Sequence, residues 1–389
     1  MHKIFRIYAS QGPNNYAELD LPASDYEMLD LMERLRLEPG QAPQLEILKY
    51  GEEYDYLNGC IHNQPDVYQL NALARKLSEF TSVHDMAAFE GFVGKETEKG
   101  AIPIDLPKLI DFAYSTDYCH VAVDAVTDTQ LGEFLVENGF IEEADSLPES
   151  ALALLDYGKI GREHREQADG IYTGFGYVEQ HSEVRRVSET MDFQPHKPAY
   201  MALLCIMARS TGRTVHLELP VSDSQMRNTL EKLAETDWNN IEASVRDSPI
   251  PRWKNVLYCG GEIPQINELA YRLRELDEQG QLPKYKAILE TNGCEGLAQM
   301  IAFAGKVDEY ILAPRTSSPE DLAREELRVV ISSPDAETLL PHVDLAGYGR
   351  ALLERYQSVI TRYGMLARNE DQQVQDMEHG SAPGGMVMG

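Results

Sequence analysis

The 389-residue sequence predicts an α+β fold in which one unit occurs twice in tandem, and three observations carry that prediction. Segments of the first half recur in the second half in the same order. Helix starts and apolar stripes fall at matched places in both halves. Short strand-like runs are mixed among the helices without the regular βαβ alternation of a parallel sheet.

The matched segments begin with "LDLPASDYEMLDLMERL" (19–35) and "LELPVSDSQMRNTLEKL" (217–233), which align without a gap at an offset of 198. "QLNALARKL" (69–77) and "QINELAYRL" (265–273) follow at 196, and "LIDFAYSTD" (109–117) and "MIAFAGKVD" (300–308) at 191, where Leu131 also meets Leu322. Finally "LDYGKIGREHRE" from Leu155 and "VDLAGYGRALLE" from Val343 align at 188, keeping Asp156/Asp344, Gly161/Gly349, Arg162/Arg350, Thr173/Thr361 and Gly176/Gly364. A falling offset with preserved order is the mark of a duplication whose loops have since shortened.

Each element follows from local chemistry. Ile4–Tyr8 and Leu45–Lys49 are strand-like runs of the first half, and Leu203–Met207 and Ile241–Val245 those of the second. Ser24 with Glu27, and Ser222 with Gln225, are capping-box pairs that satisfy free amides at a helix start. Behind them Met28, Leu31, Met32 and Leu35 form one helical stripe, mostly kept as Met226, Leu230 and Leu233. The next helix has Leu70, Leu73, Ala74 and Leu77 against Ile266, Leu269, Ala270 and Leu273. A third start pairs Thr127 with Gln130 in one half and places Pro319 behind Ser318 in the other. These readings give a first unit over 1–190, a proline-bearing linker over 191–200, a second unit over 201–368 and a disordered tail over 369–389.

Composition narrows the function. The formal charge is −29, and residues 1–190 hold 35 Asp and Glu against 15 Lys and Arg, so −20 of it lies in the first half. Such a surface repels phosphates, which excludes nucleic acid as a direct partner and favours a basic protein surface, above all one that itself binds nucleic acid. No Lys or Arg occurs between Lys108 and Lys159, a window that contains Asp111, Asp117, Asp124, Asp128, Glu133, Glu137, Glu142, Glu143, Asp145, Glu149 and Asp156. B-DNA carries one charge per about 1.7 Å of axis, so twenty negative charges correspond to roughly ten base pairs. The plain alternative is a solvated acidic face that serves solubility. Five widely spaced cysteines, an odd number without CxxC spacing, predict reduced thiols in a cytoplasmic protein. The opening "MHKIFRIYAS" is too short and polar for a signal peptide, and no run approaches the roughly 18 apolar residues of a membrane span.

"LDYGKIGREHRE" resembles the signature LDYxAYGRxL of the ArdA family of antirestriction proteins. The first copy keeps Leu155, Asp156, Tyr157, Gly161 and Arg162 and replaces the central Ala-Tyr with Lys159-Ile160. The second keeps Asp344, Tyr348, Gly349 and Arg350 and has Leu345 for the first Tyr. The family's mid-domain helix, of the form INELNxLAxxL, is similar to "VYQLNALARKL" from Val67 and "IPQINELAYRL" from Ile263, and "LGEFLVENGFIEE" from Leu131 is similar to members carried on conjugative elements of Gram-positive bacteria. The resemblance implies an elongated, non-enzymatic protein of small mixed helix and sheet subdomains that mimics bent B-form DNA. Its implied partner is a DNA-binding defence enzyme, a type I restriction-modification methyltransferase and specificity complex first of all. Family members are single-copy chains that dimerise, so two copies in one chain imply either a pseudo-dimer or a homodimer. The phosphate-mimic acids expected are those at 111–149. Gly161 and Gly349 are expected at a turn, with Arg162 and Arg350 holding neighbouring acids.

Other chemistry finds less material. In "DYCHVAVD" Cys119 and His120 are neighbours on a strand and point to opposite faces, so the imidazole is badly placed to activate the thiol. Cys60 and His62 supply at most two metal ligands, with no second pair, so no metal and no cofactor are expected. "TGFGYV" from Thr173 lacks the Lys-Ser/Thr of a phosphate loop and reads as a turn. The alternative from another class is an acidic adaptor of a mobile genetic element that holds a protein partner through apolar helix faces.

Overall fold

The structure, a computed structural model, describes residues 2–37, 41–144, 147–255, 262–331, 335, 338 and 340–369. Its architecture is mixed α+β, with helices and small three-stranded sheets. The tail expected from residue 369 falls almost wholly outside the described residues, as does Cys259.

In the first half, β1 (Phe5–Gln11) and β2 (Asn15–Leu21) lead into α1 (Asp25–Leu35) and β3 (Gln44–Tyr50), with sheet order β2-β1-β3. Helices α2 (Val67–Leu77), α3 (Val83–Glu98) and α4 (Leu106–Ala113) follow. After them come β4 (Cys119–Val123), α5 (Asp128–Glu137), α6 (Glu149–Leu152), α7 (Tyr157–Gln167), β5 (Ile171–Thr173) and β6 (Gly176–Gln180), with sheet order β4-β6-β5. In the second half β7 (Ala202–Ala208), β8 (Thr214–Leu219), α8 (Asp223–Leu233) and β9 (Ile241–Asp247) give order β8-β7-β9. Helices α9 (Ile263–Glu278), α10 (Leu282–Asn292) and α11 (Leu297–Ala304) follow. The half ends with β10 (Tyr310–Ala313), α12 (Pro319–Val330), α13 (Leu345–Arg355), β11 (Val359–Thr361) and β12 (Gly364–Arg368), in order β10-β12-β11.

The helix starts are those the sequence predicts. Ser24 and Ser222 accept from the amides of Glu27 and Gln225, whose side chains reach back to the serine amides. Thr127 caps α5 and Ser318 caps α12. The stripes are core: Met28, Leu31 and Leu35, then Leu70, Leu73, Ala74 and Leu77, and Ile266, Leu269, Ala270 and Leu273 are all buried. Their stabilisation is of the order of 1.5–3 kcal/mol for each large apolar side chain.

The chain forms two compact units, one of Met1–Ala9, Glu18–Ala23 and Ala42–Gln194, the other of Ser10–Ala17, Ser24–Gln41 and Pro195–Gly389. Helix α1 thus belongs with the residues of the second half, and its charged residues account for its seat there. Lys286 of α10, only 2% exposed, reaches Asp30 at 2.9 Å and Glu33 at 2.6 Å. Arg34 lies 3.0 Å from Asp30, and Tyr363 donates to the same carboxylate at 2.9 Å. Buried charges this deep persist only when paired and hydrogen-bonded, so the cluster fixes where α1 sits.

Candidate functional site

The acid-rich window of the first half supplies β4, α5 and the start of α7, elements of the sheet β4-β6-β5 and the helix pair α5/α7, whose apolar centre is Ala122, Ala125, Leu131, Leu135 and Tyr177. The two helices meet backbone to backbone. A Cβ on Gly161 of α7 would fall on the carbonyl of Asp128, and one on Gly132 of α5 would fall on the carbonyl of Tyr157. This corrects the expectation of a turn at the Gly-Arg pair: Gly161 and Gly349 both lie inside helices, and the second packs against the carbonyl of Pro319 in the same way. What these positions demand is the absence of a side chain, not freedom of φ.

The rest of the motif serves the same crossing. Asp156 and Asp344 cap α7 and α13 by accepting from the amides of Lys159 and Gly347. Tyr157 donates to the carbonyl of Leu152 at 3.2 Å, while Leu155 and Tyr348 are half-buried. Arg162 approaches Asp128 at only 3.6 Å; the closer clamp, which the sequence did not suggest, is Arg165 at 3.0 Å with Tyr172 donating at 2.8 Å. The Arg165 hydrogen bond, joined by that of Tyr172, holds the Asp128 carboxyl below the usual carboxylate range. Arg350 is exposed.

The structure divides the expected acids into two kinds. Asp111 is engaged internally, accepting from the amide and hydroxyl of Ser188 at 2.8 and 2.9 Å, and Asp117 pairs with Arg185 at 2.7 Å. With Asp128 these hold the fold. Asp124, Glu133, Glu137, Glu142 and Glu143 are exposed, and none makes an ion pair or side-chain hydrogen bond among the described residues. Glu133 and Glu137 are one turn apart on α5, about 6 Å along its axis. Asp145 lies outside the described residues, and Glu149 opens α6 without a described side chain.

The corresponding pair α12/α13 carries a different surface. At the offset of 191, Asp124 becomes Arg315, Glu133 becomes Arg324 and Glu137 becomes Arg328. Three of the four acids of α12 are tied down. Arg324 contacts Asp321 at 3.2 Å, Thr316 donates to Glu325 at 3.3 Å, and Tyr356 donates to Glu326 at 3.1 Å.

The candidate nucleophile is unsuited to attack. Cys119 is buried on β4 while His120 is exposed, and burial pushes the thiol up to about 12, so almost no thiolate exists at neutral pH. Cys60 is buried and donates to the carbonyl of Tyr56 at 3.3 Å, whereas His62 is exposed beside Asp105. Among the described residues no three His, Cys, Asp or Glu side chains converge as a metal site would require, and no helix is long and apolar enough to cross a membrane. Compared with models of known protein families and with curated proteins, the chain matches none.

Proposed function

We propose that the chain is a tandem duplication of one ArdA-like unit and that its first copy is a DNA mimic, which inhibits a type I restriction-modification or related host defence enzyme by occupying the groove that binds DNA. The observation that carries this reading is the set of unpaired carboxylates on α5 and the segment after it, Glu133, Glu137, Glu142 and Glu143 with Asp124 nearby in sequence. They lie in a stretch without Lys or Arg between 108 and 159. Carboxylates that have no internal partner remain available to Lys and Arg of a target. The duplication is supported by the repeated sheet orders, by the matching Gly161 and Gly349 contacts, and by the turns in which Thr173 and Thr361 donate to the carbonyls of Gly176 and Gly364. The mimic does no chemistry of its own; its action is electrostatic competition.

The test is binding of the purified protein to a type I methyltransferase core at about 0.1 and 0.5 M salt, with and without duplex DNA as competitor. Binding that collapses with salt and with DNA supports mimicry. Binding indifferent to both supports the second reading, an acidic adaptor of a mobile element. That reading draws on exposed apolar side chains such as Phe140, 62% exposed, and Leu154, 85% exposed.

A further inference from the structure

Helix α1 is docked in the second unit by five residue pairs. Glu27 meets Lys254 at 2.6 Å, Asp30 and Glu33 meet Lys286, Tyr363 donates to Asp30, and Arg36 donates to the carbonyl of Thr361 at 3.0 Å. On the proposed tandem reading, the first copy's helix is held by the second copy's residues. An interface of that kind is heterologous: unless something stops it, the helix of the second copy, α8, seats on the first copy of another chain, and so on without closure.

Most of the residues that would form that next joint have changed. In α8, Gln225, Asn228 and Ala234 stand where α1 has Glu27, Asp30 and Arg36, whereas Glu231 is kept at the place of Glu33. In the first unit the counterpart of Lys254 is Asn58; each ends a short 3-10 turn. The counterpart of Tyr363 is Phe175, in the turn that carries the same Thr-to-Gly hydrogen bond. The counterpart of Lys286 is Glu90: each follows an aromatic ring with no exposure, Phe89 and Tyr285, and Glu90 accepts from the amide of Gly174 in that same turn. Both lysines of the seat and the tyrosine hydroxyl are gone, and the glutamate kept on the helix would meet a glutamate in the seat. The face of α8 that would dock is exposed at Arg227, Asn228, Glu231 and Lys232.

We infer that the joint between copies is made once per chain, and that Glu90 opposite Glu231, with the loss of the Lys254, Lys286, Tyr363, Asp30 and Arg36 equivalents, bars a second copy of this chain from adding end to end. The surface is an α1-type seat disabled against its own kind. Like charges directly opposed at an interface oppose association, and the lysine and tyrosine partners that hold the acids of α1 are absent from this seat.

The experiment restores the lock. A variant with residues 223–234 replaced by the α1 sequence 25–36, together with Glu90→Lys, Phe175→Tyr and Asn58→Lys, is compared with wild type by sedimentation over a range of concentrations. The variant is expected to form dimers and longer species that wild type does not form, and to lose them in high salt. A second variant, Glu231→Lys alone, changes only an exposed residue and is expected to give a weaker gain of the same kind. If the graft is folded by circular dichroism and both variants keep the wild-type mass distribution, the inference is overturned. If the graft unfolds the chain, Glu231→Lys alone, which keeps the Glu90 bond to Gly174, decides: an unchanged mass distribution overturns the inference, while the inhibition assay, which needs no self-association, tests the proposed function separately.

Discussion

The helix pairs α5/α7 and α12/α13 share a backbone plan and place their charges differently on it. Both cross so closely that a glycine is required, Gly161 in one and Gly349 in the other, and both second helices are capped by an aspartate, Asp156 and Asp344. Outside this frame almost every charged position differs. Asp124, Glu133 and Glu137 give way to Arg315, Arg324 and Arg328, and the Asp128–Arg165–Tyr172 clamp gives way to Pro319, Leu353 and Ile360. The glycines at 161 and 349 are fixed by sterics, whereas positions that face solvent are free to follow function. The comparison therefore separates what builds the unit from what the first copy does with it.

The strongest test makes the first surface resemble the second. A D124R/E133R/E137R variant is expected to lose target binding by more than a hundredfold, about 3 kcal/mol or more, because cations then face the target's own cations. Its stability should stay within about 0.5 kcal/mol of wild type, since all three side chains are exposed and make no ion pair among the described residues. Titration against the methyltransferase core and urea unfolding measure the two quantities. Unchanged binding would mean that the free carboxylates on α5 are solubility surface.

Next comes the shared crossing. Gly161→Ala and Gly349→Ala each place a methyl group on a backbone carbonyl, and each should destabilise by about 1–3 kcal/mol or more through overpacking. The midpoint of urea unfolding should fall for both. Gly132 sharpens the point: its counterpart is Ala323, fully buried, so the second pair already accommodates at that place the methyl group that it excludes at Gly349. A Gly349→Ala variant as stable as wild type would show that the close approach is not what these glycines serve.

Much of this was legible from the sequence where the interaction is local. The Ser24 and Ser222 capping boxes span three residues, and the stripes at Leu70–Leu77 and Ile266–Leu273 follow one helical period, so both appear directly in the string. The paired strands β4, β6, β10 and β12 were harder, being short and joined through helices. The Gly-Arg pair was misread as a turn because nothing within the motif reveals which helix crosses it; the contact is with Asp128, 33 residues upstream. The acid run itself was visible, but which acids are free was not. Asp111 and Asp117 are satisfied by Ser188 and Arg185, some 70 residues away, and only the folded chain brings them together. The seat of α1 beside Lys286, 256 residues from Asp30, was equally out of reach.

The clamp on Asp128 is the smaller energetic difference between the pairs, and it carries a pH signature. Asp128→Asn should cost about 1 kcal/mol at neutral pH, as expected for a partly exposed carboxylate bonded to an arginine. Because the folded carboxyl is held below its unfolded value, the stabilisation is fully present above about pH 4 and is lost as pH falls through the lowered folded value. Wild type and variant should therefore converge in stability in acid and diverge on the neutral side. A difference that persists unchanged at low pH would assign the effect to packing of the side chain and not to its charge. Pro319, Leu353 and Ile360 hold no such charge, so those positions contribute none of it; in the second pair the same sign of dependence comes from Asp321, which burial would raise but hydrogen bonds from Ser317 and Ser318 hold low.

The faintest expected effect concerns Cys119, which has no counterpart in the second half, where Tyr310 takes its place. Held up to about 12 by burial, the thiol is overwhelmingly protonated at pH 8, so an alkylating reagent should modify it far more slowly in the folded protein than in urea. The rate should rise only as the unit opens, which makes alkylation of Cys119 a report on unfolding of the sheet that supports α5 and α7. A Cys119→Ala variant should leave target inhibition intact, because on the proposed mechanism nothing in the first unit acts as a nucleophile. Rapid alkylation of the native thiol, together with loss of inhibition in that variant, would instead place the activity in the buried strand and remove the acidic surface from its central role.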